Sequence, residues 1–218
     1  MKMRATWDAL AADPDAYVGD PERGRSELQG LFERLGADPR GGTCVEVGCG
    51  PGRMTGALAE RFDQVVAVDV SPAMLERAHA AVSAPNVSFV AVSGERLDGV
   101  EDGSADTLVC YLVLQHLPDR EVVEAYLREF ARVLAPGGAA YVQVPVLGRA
   151  GRLWRGLRGP LIALGRRPET GAAFRGFRLT RRELDRGLAA AGLKVAAEDE
   201  GPSAYRFSRD RFLRLTRA

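Results

Sequence analysis

Apolar runs of strand length alternate along this chain with stretches whose leucines recur at helical spacing. Residues 45–47, 65–68, 87–92, 104–111 and 139–145 are short and rich in valine. Glycine, proline or aspartate bounds most of them. Such runs read as strands buried on both faces, as in a parallel sheet. Between them the period changes. Leu28, Leu31, Phe32 and Leu35 fall on one face of a helix predicted over 21–35. Residues 54–62 predict a second helix. Ser71 and Pro72 supply an N-cap and a first-turn proline for a third, running to about 83. Pro118 and Asp119 open a fourth. Thr180 with Glu183 forms a capping-box pattern, opening a last helix that Gly192 ends. Residues 193–197 and the alternating stretch 205–215 supply two final strands. Strands alternating with helices predict an α/β domain with a parallel sheet and right-handed crossovers.

The first two strands end in chemistry. Strand 45–47 runs into Gly48-Cys49-Gly50-Pro51-Gly52-Arg53, and strand 65–68 ends at Asp69. Glycines let a backbone approach a ligand closely and take positive φ. An acid at the tip of the following strand can accept from both hydroxyls of a ribose. Asp69 lies 21 residues after Gly48, which suits one βαβ unit of roughly 30 residues. A dinucleotide fingerprint would place a small residue where Arg53 stands. Glu46, two residues before the first glycine, is unwelcome beside a pyrophosphate and welcome beside a cation.

Glu46, the glycine loop and Asp69 in this register resemble motif I of the class I S-adenosylmethionine-dependent methyltransferases. Their ligand is a nucleoside carrying an ammonium, a carboxylate and a sulfonium, but no phosphate. The resemblance extends over about residues 40–145. Ser104 to Tyr111 stands where that family has its fourth strand, and Leu112 to Asp119 where it has the loop after it. Residues 129–138 match its turn into strand five, where Pro136 and Gly137 stop the helix. The nearest subgroup is the small-molecule enzymes that include those of quinone biosynthesis. The resemblance implies a Rossmann-like three-layer α/β sandwich with a seven-stranded, mostly parallel sheet and one antiparallel strand. It implies S-adenosylmethionine as cofactor and S-adenosylhomocysteine as product. The residues it implies around the cofactor are Glu46, Gly48, Cys49, Gly50, Gly52, Asp69, Val70, Met74, Ser93, Gly94, Glu95 and Tyr111. Ser93 departs from the family, which often has Asp there for the adenine amino group. A hydroxyl can accept from that group without charge, or Glu95 can substitute.

Composition narrows the partners. The 218 residues carry a net charge of +1, so nothing pulls the whole chain toward nucleic acid. Lys2 and Lys194 are the only lysines; the arginine bias fits a GC-rich coding sequence. Three cysteines, Cys44, Cys49 and Cys110, have no metal-ligand spacing and read as buried thiols in a reducing cytosol. Glu101, Asp102 and Asp106 form no divalent-metal set, so no metal is expected; Asp106 reads as a structural acid. No apolar run reaches membrane-spanning length, and the expectation is a cytoplasmic chain without stable membrane insertion. One domain over 1–218 is expected: an N-terminal cover over 1–20, a cofactor-binding core over 40–145, an arginine-rich insertion over 147–177, and a helix with two strands over 178–218. The insertion reads as an amphipathic cover, as a lid whose arginines meet an anionic substrate, or as a surface that docks on membranes or acidic partners.

Sulfonium methyl transfer needs alignment first, and a base only if the acceptor arrives protonated. His116, just beyond the fourth strand, is the candidate base; a packing role is the alternative. Tyr17, Gln115, Gln143, Arg152 and Arg155 are the candidates for binding a small-molecule acceptor. Methyl transfer to a hydroxyl or carboxylate oxygen is the reading favoured. The alternatives are a non-catalytic cofactor-binding subunit, or another transfer on the same fold, such as aminopropyl transfer. A nucleic-acid acceptor lacks its motif and its binding module. Oligomeric state is not legible.

Overall fold

The computed structural model describes residues 2–12, 20–151 and 176–218. Among them, helices α1 (Lys2–Leu10), α2 (Pro21–Arg34), α3 (Thr55–Ala59), α4 (Pro72–Ala81), α5 (Arg120–Val133) and α6 (Arg181–Ala190) surround one sheet. Its strands are β1 (Thr43–Val47), β2 (Gln64–Asp69), β3 (Val87–Ala91), β4 (Ala105–Cys110), β5 (Leu134–Leu147), β6 (Leu193–Pro202) and β7 (Ser208–Arg217). The order across the sheet is β3-β2-β1-β4-β5-β7-β6. Strands β1 to β5 pair in parallel, and β7 runs antiparallel to both β5 and β6. This is the Rossmann-like sheet with one reversed strand that the resemblance implied.

The valine-rich strands are buried because helices cover both faces. On one face α5 and α6 close a core around Leu108, Leu127, Phe130, Val142 and Leu213. On the other, α2 and α3 place Leu28, Leu31, Phe32 and Leu58 against Val65, Ala67, Tyr141 and Phe212. The caps follow the sequence. The Ser71 hydroxyl accepts from Met74 N, and Thr180 and Glu183 complete a capping box. Asp106 accepts from Thr43 N at 2.8 Å, tying the starts of β4 and β1 together.

Four elements differ in their bounds from expectation. The helix expected over 54–62 is only Thr55–Ala59, because its last residues turn to deliver Phe62 to the core. Strand five begins at Leu134, ahead of the proline-glycine pair, and an irregularity opposite Ala105 and Thr107 absorbs the extra residues. The two last strands are longer than 193–197 and end differently from 205–215, because they form a hairpin that pairs along its whole length. The cover over 1–20 contains the helix α1. No helix among the described residues is long and apolar enough to cross a membrane. Tyr17, Arg152 and Arg155 lie outside the described residues.

Candidate functional site

Strands β1 and β4 are neighbours from which the chain departs in opposite directions. Open α/β sheets bind ligands at such a switch point, beyond the carboxyl ends of the strands. A cavity of about 290 Å³ lies there. Glu46, Gly48, Cys49, Gly50, Asp69, Val70, Met74 and Tyr111 line it, as do Gln115 and His116. Gly52, Ser93, Gly94, Glu95 and Gln143 stand outside its wall.

The glycine loop is held open by its neighbours. Gly48 N and Cys49 N both donate to Val68 O, at 2.8 and 3.0 Å. Gly48 has φ 73°, and a Cβ there would lie 2.4 Å from Val113 Cγ2. Position 48 therefore cannot carry a side chain without displacing Val113 in the loop after β4. Gly52 faces the other way, where a Cβ would lie 3.2 Å from Ala78 Cα; its smallness brings the loop onto α4. Asp69, 8% exposed, accepts from Gly50 N at 2.9 Å with one oxygen and from Ser71 N at 2.8 Å with the other. The carboxylate has acceptor capacity left for a ligand. Burial raises its pKa against the lowering effect of these bonds.

Glu46 is 4% exposed, and Thr55 Oγ1 donates to it at 2.6 Å. Burial, with the charge of Asp69 as a lesser cause, pushes its carboxyl up to about 7, while Thr55 and Arg53 oppose the shift. A carboxyl poised there gains most from an incoming cation. Burial also raises all three thiols, Cys44, Cys49 and Cys110, so none is an activated nucleophile. No group of three or more metal-ligating side chains occurs among the described residues.

Helix α1 roofs the cavity. Arg4 donates to Val70 O at 3.0 Å and to Val92 O at 3.3 Å, and Asp8 accepts from the Ser71 hydroxyl at 2.6 Å. Trp7 lines the cavity and meets the His116 ring edge-on, with centroids 5.0 Å apart. Gln115 Nε2 lies 3.2 Å from His116 Nε2. Leu112 holds a left-handed φ of 59°, a strained conformation for a branched residue. Its N–H donates to Gln143 Oε1 at 3.2 Å. The chain leaving the arginine-rich stretch is pinned to the same loop, with Gly176 N on Gln115 O and Phe177 N on Leu117 O.

Sequence reasoning missed Trp7 as a wall residue, together with Arg53, Leu112 and Tyr205. Arg53 is 7% exposed and donates to Glu27 of α2; only the fold brings the two together. Ser93 is exposed, and its hydroxyl accepts from Glu95 N and Arg96 N of its own loop. Two buried carboxylates at an apolar cavity fit a nucleoside that carries a cation.

Residues 45–142 match the family model described as a methyltransferase domain. These residues form a methyltransferase domain, similar to the class I S-adenosylmethionine-dependent enzymes. The ubiquinone biosynthesis O-methyltransferase of Xanthomonas axonopodis pv. citri is 30% identical over 138 residues, covering 62% of this chain and 54% of that protein. Its counterpart in Xanthomonas campestris pv. campestris is 33% identical over the same shares. The chain thus spans about half the length of these relatives. Among solved structures, the N-methyltransferase NodS of Bradyrhizobium japonicum, in complex with S-adenosylhomocysteine, superposes with a TM-score of 0.70 at 16% identity, covering 100% of this chain and 99% of that one. The [4+2]-cyclase SpnF superposes with 0.63 at 20% identity, covering 88% and 79%. At such identities the likeness is one of fold. In the methyltransferase domain, the cofactor of the family fits the cavity by its charge and by its lack of phosphate.

Proposed function

We propose that this chain transfers a methyl group from S-adenosylmethionine to an oxygen of a small-molecule acceptor. The observation that carries the reading is that one cavity is lined both by Asp69 and Glu46 and by Gln115 and His116. Asp69 would hold the ribose and Glu46 the ammonium of the cofactor, with the backbone of the glycine loop close against it. When bound, the cofactor supplies an electrophilic methyl group on a sulfonium. The protein's part is alignment and the exclusion of water, by the walls of Trp7, Leu112 and Tyr126. His116 in its neutral form would take the proton of an acceptor hydroxyl. The name of the Xanthomonas relatives, an O-methyltransferase, supports oxygen as the atom methylated.

A second reading keeps the ligand and drops the transfer. The fold is shared with a protein described as a cyclase, so the fold does not decide the reaction. Calorimetry with S-adenosylhomocysteine, followed by transfer of a labelled methyl group to a panel of hydroxylated and carboxylic acceptors, separates the two. Binding with transfer is expected. Binding without transfer to any oxygen acceptor would favour the second reading, and no binding would end both.

A further inference from the structure

S-adenosylmethionine ends in an amino acid, so its ammonium comes with a carboxylate. Asp69 and Glu46 suit the ribose and the ammonium, but both are acids and repel that carboxylate. The cavity wall holds a side chain that can answer it. Arg53 is the only arginine or lysine among the described residues that line the cavity. It stands at the end of the glycine loop, between the cavity and α2. Gly24 of α2 has no side chain, and a Cβ there would strike the Arg53 carbonyl. The helix thus packs directly on the residue.

Glu27, further along α2, divides its two oxygens between arginines. Arg23 Nε donates to one at 2.8 Å, and Arg53 donates to the other. Arg23 is exposed, whereas the Arg53 side chain is 6% exposed. That bond uses one N–H of a guanidinium that carries several. Nε and Nη2 of Arg53 have no hydrogen bond among the described residues, and neither is sealed into packed protein as Arg211 Nε is. Arg53 also borders a groove between α2, α3 and the end of α4, but its charge is felt on the cavity side. It opposes the upward shift that burial gives both Glu46 and Tyr111, two residues of the cavity wall. A cationic fork with donors to spare, near an acid suited to an ammonium, matches the two charged ends of an α-amino acid.

We propose that Arg53 binds the carboxylate at the amino-acid end of the cofactor, and that Glu27 competes with that carboxylate for the same guanidinium. The assignment rests on the methyltransferase reading of the cavity and deepens it. Glu46 and Asp69 by themselves favour a ligand stripped of its carboxylate, because that ligand is the more positive. Arg53 reverses the preference. It makes the site one for the intact cofactor and sets it against the decarboxylated form that aminopropyl transfer consumes. Glu27 moderates the effect, since a like charge beside the incoming carboxylate weakens the hold.

The test is titration calorimetry on the full chain at pH 8, with three probes. They are S-adenosylhomocysteine, its decarboxylated analogue, and 5′-methylthioadenosine, which lacks both charged ends. Wild type should bind S-adenosylhomocysteine about ten- to a hundredfold more tightly than the decarboxylated analogue, the range for hydrogen bonds between charged groups. Arg53→Met should abolish that preference and leave 5′-methylthioadenosine within about twofold of its wild-type affinity. A residue that only clamps the loop to α2 would weaken all three probes alike. Arg23 remains to pair with Glu27, so the variant leaves no carboxylate unpaired. Arg53→Lys, which keeps the charge without the planar fork, should restore part of the preference. Glu27→Gln keeps an oxygen for Arg53 and removes the competing charge, so it should widen the preference severalfold; it carries the test if Arg53→Met does not fold. Wild type that binds the decarboxylated analogue as tightly as S-adenosylhomocysteine would overturn the proposal. So would Arg53→Met that keeps the preference, or Glu27→Gln that leaves it unchanged or narrows it. Failure of wild type to bind any of the three nucleosides would overturn the cofactor reading itself, whereas binding of 5′-methylthioadenosine without a preference for the carboxylate would overturn the role of Arg53 alone.

Discussion

Asp69 performs two tasks with one carboxylate. It accepts Gly50 N and Ser71 N, which fastens the glycine loop to the start of α4, and its remaining lone pairs face the cavity. Asp69→Ala should weaken S-adenosylhomocysteine binding by about 1.5–3 kcal/mol, the range for hydrogen bonds to a charged group. Titration calorimetry checks this, and affinity within twofold of wild type would remove Asp69 from the ribose. His116 calls for a rate measurement. His116→Ala should lower turnover about 10²–10⁴-fold if the imidazole is the base, and the pH dependence of the wild-type rate near the histidine range should vanish with it. A variant that keeps more than about a tenth of the rate, far above that loss, would leave His116 as a packing partner of Trp7. Both residues were legible in the sequence because their chemistry sits at strand ends that the valine pattern marks. Arg53 was not. It looked like an obstacle to a phosphate; its partner Glu27 lies 26 residues earlier, on a helix face with no sign of burial.

At the scale of elements, the strands and most helices were legible because alternating valine runs and capped leucine periods leave few other arrangements. Helix α1 was not, since its link to the site is tertiary. Arg4 and Asp8 reach backbone and side-chain atoms more than 60 residues away. Those ties hold Trp7 over the cavity. Replacing both Arg4 and Asp8 by alanine should leave the melting transition nearly unchanged, because these contacts lie at the rim and outside the two cores. The dissociation rate of S-adenosylhomocysteine should rise severalfold, as loss of closing contacts acts mainly on the off-rate. Stopped-flow tryptophan fluorescence reads it directly, and an unchanged off-rate would mean that α1 covers the site without retaining the ligand. The extension of β5 shows the opposite kind of surprise. Pro136 and Gly137 did end the helical run, but pairing with β4 recruited the residues around them into the strand.

Across the whole molecule, two sets of carboxylates pull stability in opposite directions with pH. Glu129 is held below its ordinary value, first by its bond from Arg132. Glu198 is held below it by Arg211, a side chain 2% exposed that also pairs with Asp185 and so ties α6 to the β6–β7 hairpin. For both, the unfolded chain binds more protons at low pH, so their contribution is present above about 4.5 and is lost as pH falls below it. Glu46 runs the other way. Its carboxyl titrates near 4.5 when unfolded and at about 7 in the fold, so between those values the native state binds the extra proton. Stability therefore falls as pH rises through that window, by up to about 3 kcal/mol once the group is ionised in both states. The ligand-free protein should be most stable near the lower end of the window. Glu46→Gln should remove the decline between pH 5 and 8 and raise the stability of the free protein at pH 8. The same change should weaken S-adenosylhomocysteine at pH 8, because the carboxylate that burdens the empty fold is the one an ammonium would neutralise. Wild-type affinity should accordingly rise with pH through 7. Urea denaturation at a series of pH values, with calorimetry alongside, tests both halves. Parallel stability profiles for wild type and variant would mean that Glu46 ionises as an ordinary carboxylate, and would sever its link between folding and ligand binding.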